Sequence, residues 1–167
     1  MIIKTINRRF FELAYEDKEP FASLKYTDDT YSDAVVETTE KYLLNNIAVG
    51  LWILHAAAEN SSKVKAKLRV ETGGVISIKL QQQKRKYFFK KSAGWKLRFS
   101  LVNKDGEDIL SLLPATNWQQ QAHNYVLQLN DEYEKECDSF LILQAVHCAN
   151  VSLSMMTGGP VPALVNI

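Results

Sequence analysis

Phe140-Leu141-Ile142-Leu143-Gln144-Ala145-Val146-His147-Cys148-Ala149-Asn150-Val151-Ser152-Leu153-Ser154-Met155-Met156 is the stretch that decides the fold. Read at helical spacing it is apolar on nearly every side, with small Ala145, Ala149, Ser152 and Ser154 scattered among the large residues. Upstream, Asn130-Asp131-Glu132-Tyr133-Glu134-Lys135-Glu136 supplies carboxylates suited to the positive end of a helix. Downstream, Gly158-Gly159-Pro160 stops it. The expectation is a helix over about residues 136–156 and a tail over 157–167. A helix with no polar face has to be surrounded by something apolar. A bilayer asks for ~20 mostly apolar residues. This run only approaches that length and puts Gln144, His147 and Asn150 near its middle, where polar groups are expensive in lipid. The surroundings are therefore expected to be protein.

The rest of the chain, over about residues 8–130, reads as strands. Phe10-Phe11-Glu12-Leu13-Ala14-Tyr15 and Ala22-Ser23-Leu24-Lys25-Tyr26 flank the turn-like Glu16-Asp17-Lys18-Glu19-Pro20, a hairpin pattern. Ala34-Val35-Val36-Glu37-Thr38, Lys41-Tyr42-Leu43-Leu44 and Gly50-Leu51-Trp52-Ile53-Leu54-His55 follow, and Ala56-Ala57-Ala58 leaves a short helix open there. From Lys63 to Val70 the alternation is strict. Lys63, Lys65, Lys67 and Arg69 fall on one face, and Val64, Ala66, Leu68 and Val70 on the other, as in a half-buried strand. Gly73-Gly74 turns the chain into Val75-Ile76-Ser77-Ile78-Lys79-Leu80. Ser92-Ala93-Gly94 joins Lys86-Tyr87-Phe88-Phe89-Lys90 to Trp95-Lys96-Leu97-Arg98-Phe99-Ser100-Leu101. Asp108-Ile109-Leu110-Ser111-Leu112-Leu113 is expected to stop at Pro114, and Asn124-Tyr125-Val126-Leu127-Gln128-Leu129 is the last strand. Short strands about 8 to 12 residues apart, with no helices between them, point to a sandwich or an antiparallel barrel. Closure into a barrel would also remove exposed edges. The economical place for the apolar helix is then inside.

At 167 residues and 46% hydrophobic content the chain suits one domain with a substantial core. Two cysteines are too few for a secreted disulfide scaffold, and no signal peptide is visible, so the expected location is cytoplasmic. Asn60-Ser61-Ser62 and Asn150-Val151-Ser152 match the glycosylation pattern by chance on that reading.

The order of these features resembles the tubby C-terminal-like superfamily, which includes the plant LURP-one-related proteins and the phospholipid scramblases. The early hairpin in residues 10–26, the paired strands around Asn103-Lys104-Asp105-Gly106, the strand over 125–129 and the final apolar segment carry the likeness. The resemblance implies a closed barrel of about twelve antiparallel strands wrapped around a central helix. It also implies a non-enzymatic binding module that docks on anionic phospholipid at a membrane surface. Scramblase activity, which the kinship would equally imply, is not expected of a helix too polar to span.

Charge is unevenly spread. Residues 63–98 hold twelve Lys/Arg against one acid, Glu71; residues 1–62 hold six against ten, and residues 99–167 two against eight, for a net charge of +1. Such a zone can gather anions, with lipid head groups, phosphates and nucleic acid as candidates. The expected anion- or lipid-binding residues are Lys63, Lys65, Lys67, Arg69, Lys84, Arg85, Lys86, Lys90 and Lys91. The competing reading is that basic strands lie beside acidic ones and cancel them. Nucleic acid is not expected, because Tyr87, Phe88 and Phe89 are consecutive and cannot all face outward to stack on bases.

Other constellations carry less. On one helix Cys137 and Cys148 would sit about 16 Å apart, too far to share a metal or a disulfide. Asp138, Ser139 and His147 have the residue types of a hydrolase triad but lack a nucleophile elbow. No catalytic residue, metal or cofactor is expected. Gly50-Leu51-Trp52 is similar to the Gly-x-Trp of lipocalins, which leaves open a small-molecule carrier with an empty barrel. A protein-interaction domain with no ligand is a further alternative.

Overall fold

The computed structural model describes residues 1–58, 63–117, 119 and 122–158. Its strands are β1 (Ile2–Asn7), β2 (Phe10–Ala14), β3 (Pro20–Tyr26), β4 (Asp33–Glu37), β5 (Lys41–Ala48), β6 (Leu51–Ala56), β7 (Val64–Val70), β8 (Ile76–Leu80), β9 (Arg85–Lys91), β10 (Phe99–Val102), β11 (Asp108–Asn117) and β12 (Ala122–Leu129). A 3-10 turn at Asp131–Glu136 and the helix α1 (Ser139–Thr157) complete the described chain. The strands form one antiparallel sheet in sequence order, β1 to β12. The sheet curls until β1 lies against β12, so the barrel is nearly closed. Among the described residues that seam has no strand ladder. Thr5 Oγ1 bridges it by donating to the His123 carbonyl at 2.9 Å.

α1 runs through the middle. Thirteen consecutive residues, Leu141 to Leu153, are buried, which no one-sided packing of a helix allows. Its side chains reach strands from all round the sheet. Phe140 packs on Tyr42 of β5, His147 on Tyr26 of β3 and Trp52 of β6, and Asn150 meets Tyr125 of β12. By length and apolarity α1 could cross a bilayer, yet 72% of the qualifying window is inside protein. Asp138 caps its start, the carboxylate accepting from the Leu141 N–H at 2.8 Å. Gly158, at φ 68°, ends it in the left-handed conformation that glycine adopts without strain.

The polar residues of α1 are organised by hydrogen bonds. Tyr125 donates its hydroxyl to Asn150 Oδ1 at 2.7 Å, and Asn150 Nδ2 donates to the Tyr26 hydroxyl at 3.2 Å. Tyr26 then has its own proton left for His147 Nδ1, 3.0 Å away. The chain is self-consistent with a neutral His147 protonated on Nε2. These bonds pair Asn150 and the Nδ1 of His147, and Gln144 Nε2 donates to the Phe140 carbonyl at 3.2 Å, whereas the buried Gln144 Oε1 and His147 Nε2 have no partner among the described residues, a cost the core carries. Asn150 is 3% exposed and bonded to both tyrosines, which removes it as a glycosylation site. Residues 60–62 and the expected tail beyond Gly158 lie outside the described residues.

Several expectations are corrected. Strands begin at Ile2, not near residue 8; β1 lacks a clear strand pattern because its two outward isoleucines, Ile2 and Ile6, spoil the alternation. Ala56 ends β6, and the Ala57 N–H bonds back to the Lys41 carbonyl, so no helix forms at 56–58. β10 starts at Phe99, leaving Trp95 to Arg98 in a loop. β11 continues through Pro114 to Asn117. Its β10 neighbour pairs only as far as Leu112, so on that side Pro114 has no ladder bond to lose. The acidic segment forms its own 3-10 turn, and the helix starts at Ser139 rather than 136.

The meander sorts its connections. Turns that leave even-numbered strands lie at the end where α1 begins, the entry end. Turns that leave odd-numbered strands lie at the opposite, exit end, where α1 finishes beside Gly73 and Gly74. Among the described residues, the entry-end connections carry eleven acids, from Glu16 to Asp138, and the exit-end turns only Asp28, Asp29 and Glu71. Asp28 and Asp29 belong to one turn, where Asp29 is paired with Arg8 and Arg9; Glu71 accepts from Ser77 Oγ at 2.7 Å.

Candidate functional site

The basic zone folds into the flank formed by β7, β8 and β9. Inward residues Ala66 and Leu68, Ile76, Ile78 and Leu80, and Tyr87 and Phe89 anchor it to the core. That fixes the parity of each strand, and the opposite parity turns lysines outward. The register then aligns them. Lys67 stands directly opposite Lys79, and Lys79 directly opposite Lys86. Three strands at ~4.8 Å spacing put this row across about 10 Å. Arg69 lies two residues further along β7, opposite Ser77, and Lys90 lies four residues along β9 from Lys86. All five cations are exposed.

Like charges facing each other across a sheet destabilise it, and opposite charges are the usual arrangement. Here no acid intervenes. Lys67 faces Ile53 on its other side, and β10 pairs only with Phe88 to Lys91, so Lys86 has no neighbour there. Among the described residues, Arg85 alone of the nine expected cations is in an ion pair, its Nη1 3.2 Å from Glu136 Oε2. Charge cancellation between neighbouring strands therefore does not occur on this flank. Lys86 Nζ does sit over the Phe88 ring, 4.8 Å from its centroid, a contact that leaves the ammonium charged.

The nine expected residues do not form one patch. Lys67, Arg69, Lys86 and Lys90 share the outer face with Lys79, which the expected set omitted although the alternation of Ile76-Ser77-Ile78-Lys79-Leu80 gives its direction. Lys65 is half-buried and lines a small cleft at the entry end with Tyr42, Gln82, Asp138 and Phe140. Lys63 precedes β7 and is exposed. Lys84 sits in the β8–β9 turn at φ 51°, a left-handed conformation that costs a non-glycine residue about 1 kcal/mol. Arg85 turns to Glu136, and Lys91 ends β9 on the inward parity but exposed at the barrel rim. Tyr87 and Phe89 are core, 2% and 0% exposed, and Phe88 points outward between them, so no aromatic stacking platform exists on β9.

The remaining constellations do not assemble. Asp138 caps α1, and His147 lies eight residues beyond Ser139, about 12 Å along the axis, held by Tyr26. Burial pushes His147 down to about 3, so the imidazole stays neutral. Cys137 lies before α1 rather than in it, its thiol pushed up to about 11 by burial and the neighbouring carboxylates; burial also raises Cys148. Both are free and buried, and among the described residues no cluster of His, Cys, Asp and Glu could hold a metal ion. The interior that a lipocalin-like carrier would keep for its ligand is occupied by α1.

No family model matches the chain, and neither does any curated protein or solved structure compared with it.

Proposed function

We propose that the protein is a non-enzymatic binding module, of the tubby and LURP-one type, that docks on anionic phospholipid through the β7–β9 flank. The observation that carries this reading is the row Lys67, Lys79 and Lys86, three in-register lysines with no acid beside them. A sheet that served only its own stability would alternate signs there. Each Lys or Arg held near an anionic surface contributes about 1 kcal/mol, so five cations supply about 5 kcal/mol, enough for reversible peripheral binding. On this reading no cofactor is needed, nucleic acid is not the partner, and the protein works at the surface of a membrane.

Vesicle sedimentation tests it. Phosphatidylserine-containing vesicles should retain the protein at low salt and release it as ionic strength rises, since screening shortens to ~3 Å at 1 M. Replacing Lys67, Lys79 and Lys86 together by Gln should weaken retention roughly a hundredfold, at about 1 kcal/mol each. Vesicles of every charge leaving the protein in solution at low salt would refute the reading. Stoichiometric capture of a protein partner without any lipid response would replace it with an interaction domain.

A further inference from the structure

The loop between β9 and β10 projects from the exit end and carries Trp95 at 90% exposure. Tryptophan is the largest side chain the chain has, and the described alternative is Trp52, 1% exposed with its indole N–H bonded to the Tyr31 carbonyl at 3.1 Å. Its loop is closed by the Ser92 N–H donating to the Arg98 carbonyl at 2.8 Å, and the indole lies outside that closure. Lys96 Nζ stands 4.9 Å from its ring centroid. Lys90 and Lys91 lead into the loop and Arg98 leaves it, with no acid between Glu71 and Asp105.

The rest of the exit end has the same character. Met156 (53% exposed), Val49 (52%) and Ile47 (53%) also surface there, at the close of α1 and beside the β5–β6 turn. Among the described residues the connections carry eleven acids at the other end of the barrel and three, Asp28, Asp29 and Glu71, at this one. A bilayer with negative head groups would repel the entry end, attract the exit end, and meet an amphipathic ring whose preferred depth is the head-group region.

From this geometry we infer that Trp95 is the membrane anchor of the module: the β9–β10 loop inserts its indole into the interface of an anionic bilayer while Lys90, Lys91, Lys96 and Arg98 engage the head groups around it. The inference rests on the anionic-lipid reading of the flank and adds the inserting element and the orientation, exit end toward the lipid. β9 links the two: it carries Lys86 of the row near the entry end and Lys90 and Lys91 at the exit end, where the loop begins.

Brominated lipids test it. In a Trp118→Phe background, vesicles of phosphatidylserine and acyl-chain-brominated phosphatidylcholine should quench the tryptophan emission, with Trp52 shielded by the barrel. Trp95→Phe should abolish the quenching, and Trp95→Ala should weaken vesicle retention about tenfold with an unchanged far-UV spectrum, since the side chain has no packing to lose. Retention on anionic vesicles without quenching, and unaltered by Trp95→Ala, overturns the anchor and leaves the basic flank as the whole of the site. No retention on any vesicle overturns both. Loss of a bound protein partner on Trp95→Ala, without lipid retention, assigns the loop to a protein interface instead.

Discussion

Acidification should unfold this protein through His147. The imidazole is 1% exposed, its Nδ1 accepts a hydrogen bond from the Tyr26 hydroxyl, and burial pushes its pKa down to about 3. In the unfolded chain it titrates near 6.5. Because the folded value is the lower one, the unfolded state binds a proton that the native state refuses between those limits. The stability that this neutral histidine permits is complete above about pH 6.5 and drains away as pH falls toward about 3. Linkage gives a loss of about 2 kcal/mol on going from pH 7.5 to 5, and about 3 kcal/mol by pH 4. His147→Gln removes the titration while keeping a polar side chain of similar size, at some initial loss of stability from the altered bond to Tyr26. Urea unfolding at pH 7.5, 6.5, 5.5 and 5.0 should therefore find the gap between wild type and variant closing by about 2 kcal/mol across the series. His123, also lowered by burial, titrates in both proteins and cancels from the difference. A gap that stays constant with pH would mean that His147 takes up its proton equally in the folded and unfolded states, and the hydrogen-bond chain from Tyr125 through Asn150 and Tyr26 would have to be redrawn.

Lys79→Glu should raise stability by about 0.5 kcal/mol, because it turns two like-charged cross-strand pairs into opposite ones, while lowering vesicle retention; thermal melts and sedimentation on the same sample read both signs. Lys84→Gly should stabilise by about 0.5 kcal/mol in urea unfolding by relieving the φ 51° backbone, whatever it does to lipid. Thr5→Val should cost about 1 kcal/mol and speed hydrogen exchange selectively in β1, since the Thr5 hydroxyl donates the bridge to the His123 carbonyl across the seam.

The helix and the strands of the middle region were legible because single-strand periodicity and all-round apolarity are local signals. Ala66 and Leu68 against Lys67 and Arg69, or Leu141 to Leu153 without a polar face, need no knowledge of neighbours. The lysine row was not legible. Whether Lys67 meets Lys79 or slips by two depends on the lengths of the β7–β8 and β8–β9 turns, which alternation does not encode. Trp95 was misread for a related reason. Its spacing from Leu97 and Phe99 imitates a strand, but β9 ends at Lys91, and beyond the Ser92 N–H bond to the Arg98 carbonyl it offers no ladder for residues 95–97. Pro114 misled in the opposite direction, since a proline stops a strand only where a partner needs its N–H.

The segment that fills the barrel is also the last of the described elements to be synthesised. Tyr26 meets His147 and Asn150 across 121 and 124 positions of chain, so these contacts wait until all twelve strands have been made. Until then the faces carrying Phe11, Leu24, Trp52 and Phe89 have no filling, and non-local pairing of this kind is slow and prone to aggregate. A nascent chain halted before Asp138 would be a sticky open sheet rather than a weakened barrel, a form for chaperones and proteases to intercept.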